Sequence, residues 1–370
     1  MQVVSATEPG ARGHGRFNGP SNPANDIEMK NSSPNANLAY AIKLVHATCC
    51  LAGSASYLDD VRADLRADGV VRAARDHDTA ALFDWLIQVL SFQGISDSVA
   101  AGYMERHGTV RWSDVAAALS VRPSCPKLGG YWRFYDCRYH KGSATCSEPG
   151  HIDGCPLPRH PLRNGRLNQM AYSFFLFMRD VAGDDFVGWI DQQLGEADSQ
   201  APDRLAALRE AIIGPLRGVY GVADKVLAMA LSSLLLAAGD RKPLWLEVGA
   251  TFVAVDTLVH NYLHRTGILQ RLCADHPYGD RCYRSGGCAG ILNLLATYVD
   301  AREFNPAFPA TFPRFVQHAI WRYCAANGLD MCNGNRIDDD TRCGNGHCQL
   351  FRRCDRIVLR AERQKIESTQ

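Results

Sequence analysis

The stretch FVAVDTLVHNYLHRTG, residues 252–267, decides the fold. Its apolar residues recur at helical spacing and form one face, which contains Val255, Leu258, Val259, Tyr262 and Leu263. Asp256 stands where this helix would begin, and Gly267 stands where it would end. The stretch therefore predicts an amphipathic helix whose first turn is capped by the Asp256 carboxylate, which would accept a backbone N–H.

Helical patterning continues over most of the chain. Apolar residues repeat every three or four positions in the segments 82–92, 112–120, 170–181, 203–213, 224–238 and 312–328. No segment alternates apolar and polar residues convincingly enough to predict a strand. The expected fold class is all-α.

The composition is that of an ordinary globular protein, with 46% hydrophobic and 21% charged residues. A net charge of +1 neither requires nor excludes a nucleic-acid partner. The longest apolar run, 226–239, has about 14 residues, fewer than the roughly 20 that a membrane-spanning helix needs. We expect a cytoplasmic monomer without membrane contacts, associated with the nucleoid if the chain is bacterial.

The fourteen cysteines are clustered, which favours metal binding because disulfides are rare in the cytosol. The C-terminal group has the spacing C-x10-C-x4-C-x5-C, with Cys324 as an alternative first ligand. Four thiolates in one loop suit zinc and an iron–sulfur cluster equally. The members of this group are Cys332, Cys343, Cys348 and Cys354.

Two further groups carry cysteine. The segment 122–162 lacks a sustained period and contains Cys125, Cys137, Cys146 and Cys155. It is either organised by zinc or folded around a core of its own. If zinc organises it, its aromatic residues would be available for stacking on a base, together with Arg133; they are Tyr131, Trp132, Phe134 and Tyr135. The third group is Cys273, Cys282 and Cys288 with His276.

A turn of small residues precedes the apolar helix of RGVYGVADKVLAMALSS, residues 217–233. Such a turn exposes unpaired backbone N–H groups at a helix N-terminus, where they can bind phosphate. Lys225 falls in the first turn of that helix. It is either a solvated surface lysine or a nucleophile.

GVADKVLAMAL (221–231) followed by VAVDTLVHNYLHRTG (253–267) resembles the helix-hairpin-helix and catalytic-aspartate region of the endonuclease III superfamily of DNA glycosylases. LIQVLSFQGISDSVA (86–100) is similar to an earlier segment of that family, and four cysteines follow a long helix near its C-terminus as they do here. The resemblance implies a two-lobed, all-α fold, with a six-helix barrel lobe and a lobe that carries a [4Fe–4S] cluster.

The resemblance also implies roles for particular residues. Lys225 matches the Schiff-base lysine, Asp256 the catalytic aspartate, and Gln93 the residue that enters the duplex beside the flipped nucleotide. The phosphate-binding hairpin turn corresponds to Gly221, Val222 and Ala223, although Ala223 replaces a glycine of the family. Cys332, Cys343, Cys348 and Cys354 would bind the cluster, and Arg352 and Arg353 would contact phosphates.

These expectations divide the chain into segments. Residues 1–36, rich in Gly, Pro, Asn and Ser, are expected to be a disordered tail. The barrel lobe is expected from 80–121 and 163–225, interrupted by the insert 122–162. The cluster lobe would combine 38–79 with the C-terminal helices 226–328 and the cluster loop 329–360.

The implied function is excision of a modified base from double-stranded DNA, with abasic-site lyase activity through a lysine Schiff base. The expected partner is duplex DNA that carries a damaged base or an abasic site, and the expected cofactor is [4Fe–4S], with zinc as a candidate for the insert. Three alternatives stay open: a non-catalytic DNA-binding protein, a monofunctional glycosylase that uses only Asp256, and a metal-sensing regulator.

Overall fold

A computed structural model describes the chain from residue 35 to residue 360, with gaps. The described residues are 35–91, 102, 104–106, 108–121, 125–140, 143, 145–159, 165–200, 203–333 and 337–360. Residues 1–34 of the expected disordered tail and Gln93 lie outside them, whereas Ala36, the last residue of that expected tail, begins the first helix. Residues 36–370 belong to one compact unit.

The elements are almost entirely helical. The α-helices run in the order α1 (Ala36–Ala52), α2 (Tyr57–Ala67), α3 (Val70–Arg75), α4 (Thr79–Leu90), α5 (Trp112–Ser120), α6 (Tyr131–Phe134), α7 (Gly165–Asp180), α8 (Phe186–Ala197), α9 (Arg204–Leu216), α10 (Asp224–Ala238), α11 (Pro243–Gly249), α12 (Thr257–Arg265), α13 (Ile268–Arg271), α14 (Cys288–Ala296) and α15 (Pro313–Cys324). The described residues contain no strand, only the isolated bridges His140–Thr145 and Asp300–Thr311. The all-α prediction is confirmed for this part of the chain.

Two hydrophobic cores organise the helices. The first core draws its buried residues from Leu65 to Phe252, and the insert contributes Leu128, Phe134 and Leu157 to it. The second core combines α1 and the start of α2 with residues from the segment 236–350. The two ends of the chain therefore meet in one core, where α1 packs on α15.

The observed packing divides the chain at other places than the sequence predicts. Leu65, Val70 and Ala73 belong to the first core, although they fall within the segment 38–79 assigned to the second lobe. Most of α10 and, in α11, Trp245 and Val248 also pack in the first core, because α10 lies against α2, α4 and α11. The insert shares the first core, and this replaces the alternative of a core of its own.

No single described helix is long and apolar enough to cross a membrane. The pair α1 and α2 passes that test only when taken together, and it is bent by 56° at its break.

Candidate active site and metal centres

The residues 217–223 around Gly221 connect α9 to α10. Gly221 has φ +75°, a left-handed conformation that favours glycine. Lys225 lies in the first turn of α10 and is partly buried. Its ammonium group forms no ion pair with any residue that the structure describes, whereas the neighbouring Asp224 carboxylate accepts from Arg217 Nε at 2.9 Å. The amine beside the hairpin turn is thus free of a carboxylate partner.

Asp256 is the N-cap of α12, as the sequence predicts. Its Oδ1 accepts the backbone N–H of Val259 at 2.9 Å, and the side chain is partly buried. The preceding residue, Val255, is fixed by Tyr283, whose hydroxyl accepts from the Val255 N–H at 2.7 Å and donates to the Val255 carbonyl at 3.2 Å. The Val259 N–H and the Tyr283 phenol together fix the position of the Asp256 carboxylate.

The phenol of Tyr283 is partly buried and is influenced by a charge at the start of α10. Burial raises the pKa of its phenol, and the negative charge of Asp224 adds to that rise. Asp224 is adjacent to Lys225 in sequence, and Val255 is adjacent to Asp256. Tyr283, Ala228 of α10 and the segment 251–253 before Asp256 line one cleft.

A basic cleft of about 180 Å³ lies beside this region. Its charged lining consists of Arg209, Arg217 and Arg284, with Glu210 as the acidic member. Lys225 and Asp256 do not line the cleft. Its lining includes Ala228, which lies about one helical turn after Lys225, and the segment 251–253 before Asp256. The surplus of arginines suits a phosphate-bearing ligand.

The remaining predicted DNA contacts are partly exposed. Gly221 and Ala223 are exposed, whereas Val222 packs partly against the first core. Arg352 and Arg353 are exposed in the C-terminal loop. These residues are accessible to a polyanion.

The four C-terminal thiols line one small cavity between α12, α15 and the loop 331–356. They are Cys332, Cys343, Cys348 and Cys354. Cys324, the alternative ligand, is buried at the end of α15 and does not line the cavity. The choice of Cys332 thus agrees with the geometry.

The surroundings of this cavity fit an anionic cluster. Two of its lining residues carry buried guanidinium nitrogens without a hydrogen-bond partner, Arg265 Nη1 and Arg356 Nε. The Tyr323 hydroxyl lies 3.0 Å from Cys348 Sγ. Burial raises the pKa of the Cys354 thiol to about 12, so a metal must displace its proton.

The C-terminal loop is fastened to the second core by ion pairs. Arg271 donates to both oxygens of Asp355, at 2.6 and 2.8 Å, and its guanidinium lies 3.9 Å from the ring centroid of Tyr40 in α1. Asp339 pairs with the buried Arg265. The loop that carries the four thiols is thereby joined to both α1 and α12.

The insert brings Cys125, Cys137, Cys146 and Cys155 to the wall of a second small cavity. Its aromatic residues divide between two environments, contrary to the expectation that all would be presented. Tyr131 and Phe134 are buried in the first core, whereas Trp132 is 78% and Tyr135 69% exposed. The difference follows from the helix α6, because residues 131 and 134 lie on the same face.

A third group unites His260, His276, Cys282 and Cys288, all buried. Their ligand atoms lie within 4.8 Å of one another. The sequence predicted three of these residues, His276, Cys282 and Cys288, with Cys273 as the fourth. The prediction of Cys273 is wrong, because this cysteine is exposed beyond the end of α13. His260 takes its place because α12 directs it towards the loop 276–288. The sequence signal that could have identified His260 was its position four residues after Asp256, on the next turn of the helix.

Comparison with family models, with curated proteins and with solved structures gave no match to this chain.

Proposed function

We propose that the protein is a DNA glycosylase with an associated abasic-site lyase activity. The observation that carries the proposal is that the first turn of α10, which holds Lys225, and the segment before the Asp256 cap border the same cleft, lined by Ala228 and by residues 251–253. The unpaired amine, the carboxylate and the neighbouring arginine cleft are the groups that this chemistry requires.

Each group has a chemical task. The damaged nucleotide must leave the base stack before any side chain can reach its C1′ atom. As the bond between C1′ and the base breaks, the base leaves with the bonding electrons and positive charge develops on the sugar. The Asp256 carboxylate would stabilise that charge and accept a proton from the Lys225 ammonium.

The lyase step follows from the lysine. The lone pair of Lys225 Nζ attacks C1′, the sugar ring opens, and an imine joins the protein to the DNA. Loss of a proton from C2′ then breaks the bond between C3′ and its oxygen, and the 3′ phosphate leaves with the electrons. Water finally hydrolyses the imine and regenerates the amine.

Binding would rest on the hairpin and the basic residues. The backbone N–H of Gly221 would hold one phosphate near the start of α10. Arg209, Arg217 and Arg284 would neutralise others, and each neutralised phosphate adds to the salt dependence of affinity.

A [4Fe–4S] cluster would be held by Cys332, Cys343, Cys348 and Cys354. When bound, it would supply structural cross-linking of the C-terminal loop. The exposed Arg352 and Arg353 in that loop would then be available for DNA phosphates.

The test is borohydride trapping on duplex DNA that carries an abasic site. Borohydride reduces the imine to a stable amine, so we expect a covalent adduct with the wild type and none with Lys225→Gln. Lys43→Gln is the matched control, because Lys43 is an exposed lysine of α1.

Two outcomes would decide against the lyase assignment: an adduct that persists undiminished in Lys225→Gln, or no adduct with folded wild-type protein. In the second case, release of a modified base without strand cleavage would identify a monofunctional glycosylase. Binding without either reaction would identify a DNA-binding protein.

A further inference from the structure

The group of two histidines and two cysteines has the dimensions of a tetrahedral metal site. His260 Nδ1 lies 3.4 Å from Cys288 Sγ and 3.6 Å from Cys282 Sγ, and His276 Nε2 lies 3.4 Å from Cys288 Sγ. Zinc bonds of about 2.3 Å to sulfur and 2.0–2.1 Å to nitrogen place neighbouring S and N ligands about 3.6 Å apart. The observed separations agree with that value.

The surroundings of these two histidines and two cysteines favour binding of a cation. His276 Nδ1 lies 2.6 Å from the Ala274 carbonyl, so that nitrogen donates its proton and Nε2 presents its lone pair to the cysteines. Such a second hydrogen bond is the usual way in which proteins orient a metal-binding histidine. The backbone N–H of Gly279 donates to Cys282 Sγ. All four side chains are buried, so no ligand position is left open to water.

We propose that His260, His276, Cys282 and Cys288 bind one structural zinc ion. The ion would fasten the loop 276–288 to the first turns of α12. That loop also carries Tyr283, which holds Val255 beside Asp256. A role of zinc in positioning Asp256 rests on the proposed function, whereas the zinc site itself does not.

The test is metal analysis of the purified full-length protein. We expect about one zinc per chain in the wild type and in Cys273→Ser, which changes the exposed cysteine outside the group, and loss of zinc in Cys282→Ser. His260→Cys should keep the metal, because Cys Sγ reaches about as far from the backbone as the Nδ1 atom that it replaces. His260→Ala should lose it.

Folded wild-type protein without zinc, or undiminished zinc in Cys282→Ser, would overturn the proposal. Growth with cobalt(II) provides a measurement that needs no variant. We expect the visible absorption of tetrahedral cobalt bonded to thiolate, and its absence also counts against the site. None of these results depends on DNA, so they are separate from the test of the glycosylase.

The thiols of the insert are arranged differently, and this carries a second proposal. Among the described residues, one group of three or more ligand atoms lies within 4.8 Å, and the insert cysteines are not in it. Four sulfurs around one zinc ion would be about 3.8 Å apart. Cys125, Cys137, Cys146 and Cys155 line one small cavity instead.

One sulfur of the insert accepts a backbone hydrogen bond. The N–H of Glu148 donates to Cys146 Sγ at 3.4 Å. Amide donors of this kind stabilise thiolates and tune iron–sulfur clusters. Leu128, Ile152 and Leu157 shield the insert cavity on its apolar side.

We infer that the insert binds a second iron–sulfur cluster of the [4Fe–4S] type in place of the zinc expected from its sequence. Anaerobically purified wild type should then contain about eight iron and eight sulfide per chain, the sum of two such clusters. Cys146→Ser should lose half of the iron, and Cys343→Ser should lose the other half. Cys50→Ser, which changes an exposed cysteine of α1, should lose none.

The ratio of metals in the wild type decides between the two interpretations of the insert. About four iron with two zinc ions would show that the insert binds zinc and would overturn the inference. About four iron that is lost in Cys343→Ser but kept in Cys146→Ser would overturn it as well. Iron that is lost only in Cys146→Ser would support the insert cluster and refute the C-terminal one.

Discussion

At the scale of a single residue, Asp256 has two roles, as a helix cap and as the proposed catalytic carboxylate. Its Oδ1 accepts the Val259 N–H and so satisfies one of the unpaired donors at the start of α12. The proposed reaction needs its negative charge, whereas the cap needs only an oxygen acceptor. The two duties can therefore be separated by substitution.

We expect Asp256→Asn to keep the cap and lose the chemistry. Asparagine caps helices about as well as aspartate, so the free energy of unfolding should change by a few tenths of a kcal/mol at most. Base release should fall by about 10²-fold or more, because the charge that assists the reaction is gone. Asp256→Ala should lose about 1 kcal/mol of stability as well. Urea unfolding and base-release rates of both variants test this, and equal activity of wild type and Asp256→Asn would contradict it.

At the scale of the elements, helix limits were predictable where a local signal sets them. The prediction of 224–238 matches α10, because an apolar run is bounded by Asp224 and Gly239. The last helix was predicted to reach 328 but ends at Cys324. Ala325 adopts an extended backbone, after which the N–H groups of Leu329 and Met331 bond back to the carbonyls of Arg322 and Tyr323. Sequence periodicity does not report such a reversal.

The packing of α15 on α2 makes stability depend on pH. His318 stacks on Tyr57 with ring centroids 4.3 Å apart. Burial lowers the pKa of His318 to about 4, helped by the positive charges of Arg314 and Arg322 and opposed by Asp60. The unfolded chain, with a histidine pKa of about 6.5, takes up the proton first as the pH falls. Stability is thus complete above pH 6.5 and is lost progressively between about 6.5 and 4.

We expect this histidine to contribute a loss of about 2 kcal/mol between pH 7.5 and pH 5. His318→Gln removes the titrating group and should flatten the profile by that amount. The measurement is urea unfolding of both proteins at the two pH values, in which the other histidines cancel. Parallel profiles for wild type and variant would refute the assignment.

At the scale of the whole molecule, α10 joins the two cores. Leu234 and Leu235 pack in the first core, and Leu236 packs in the second. The all-α class could be predicted because the apolar period is local. The membership of the metal groups could not, because His260 meets Cys282 and Cys288 only after α12 and the loop 276–288 have folded together. The sequence identifies candidate ligands by residue type, and the fold determines which of them lie close together.

The meeting of α1 and α15 in the second core has a consequence for synthesis on the ribosome. About 260 residues separate the end of α1 from the start of α15. At roughly 5–20 residues per second, the apolar face of α1 waits about 13–50 s for its partner. During that time it is exposed to chaperones and to neighbouring nascent chains. The C-terminal thiols follow α15 in the chain, and Cys332 belongs to the second core, so binding of the proposed cluster would coincide with completion of that core.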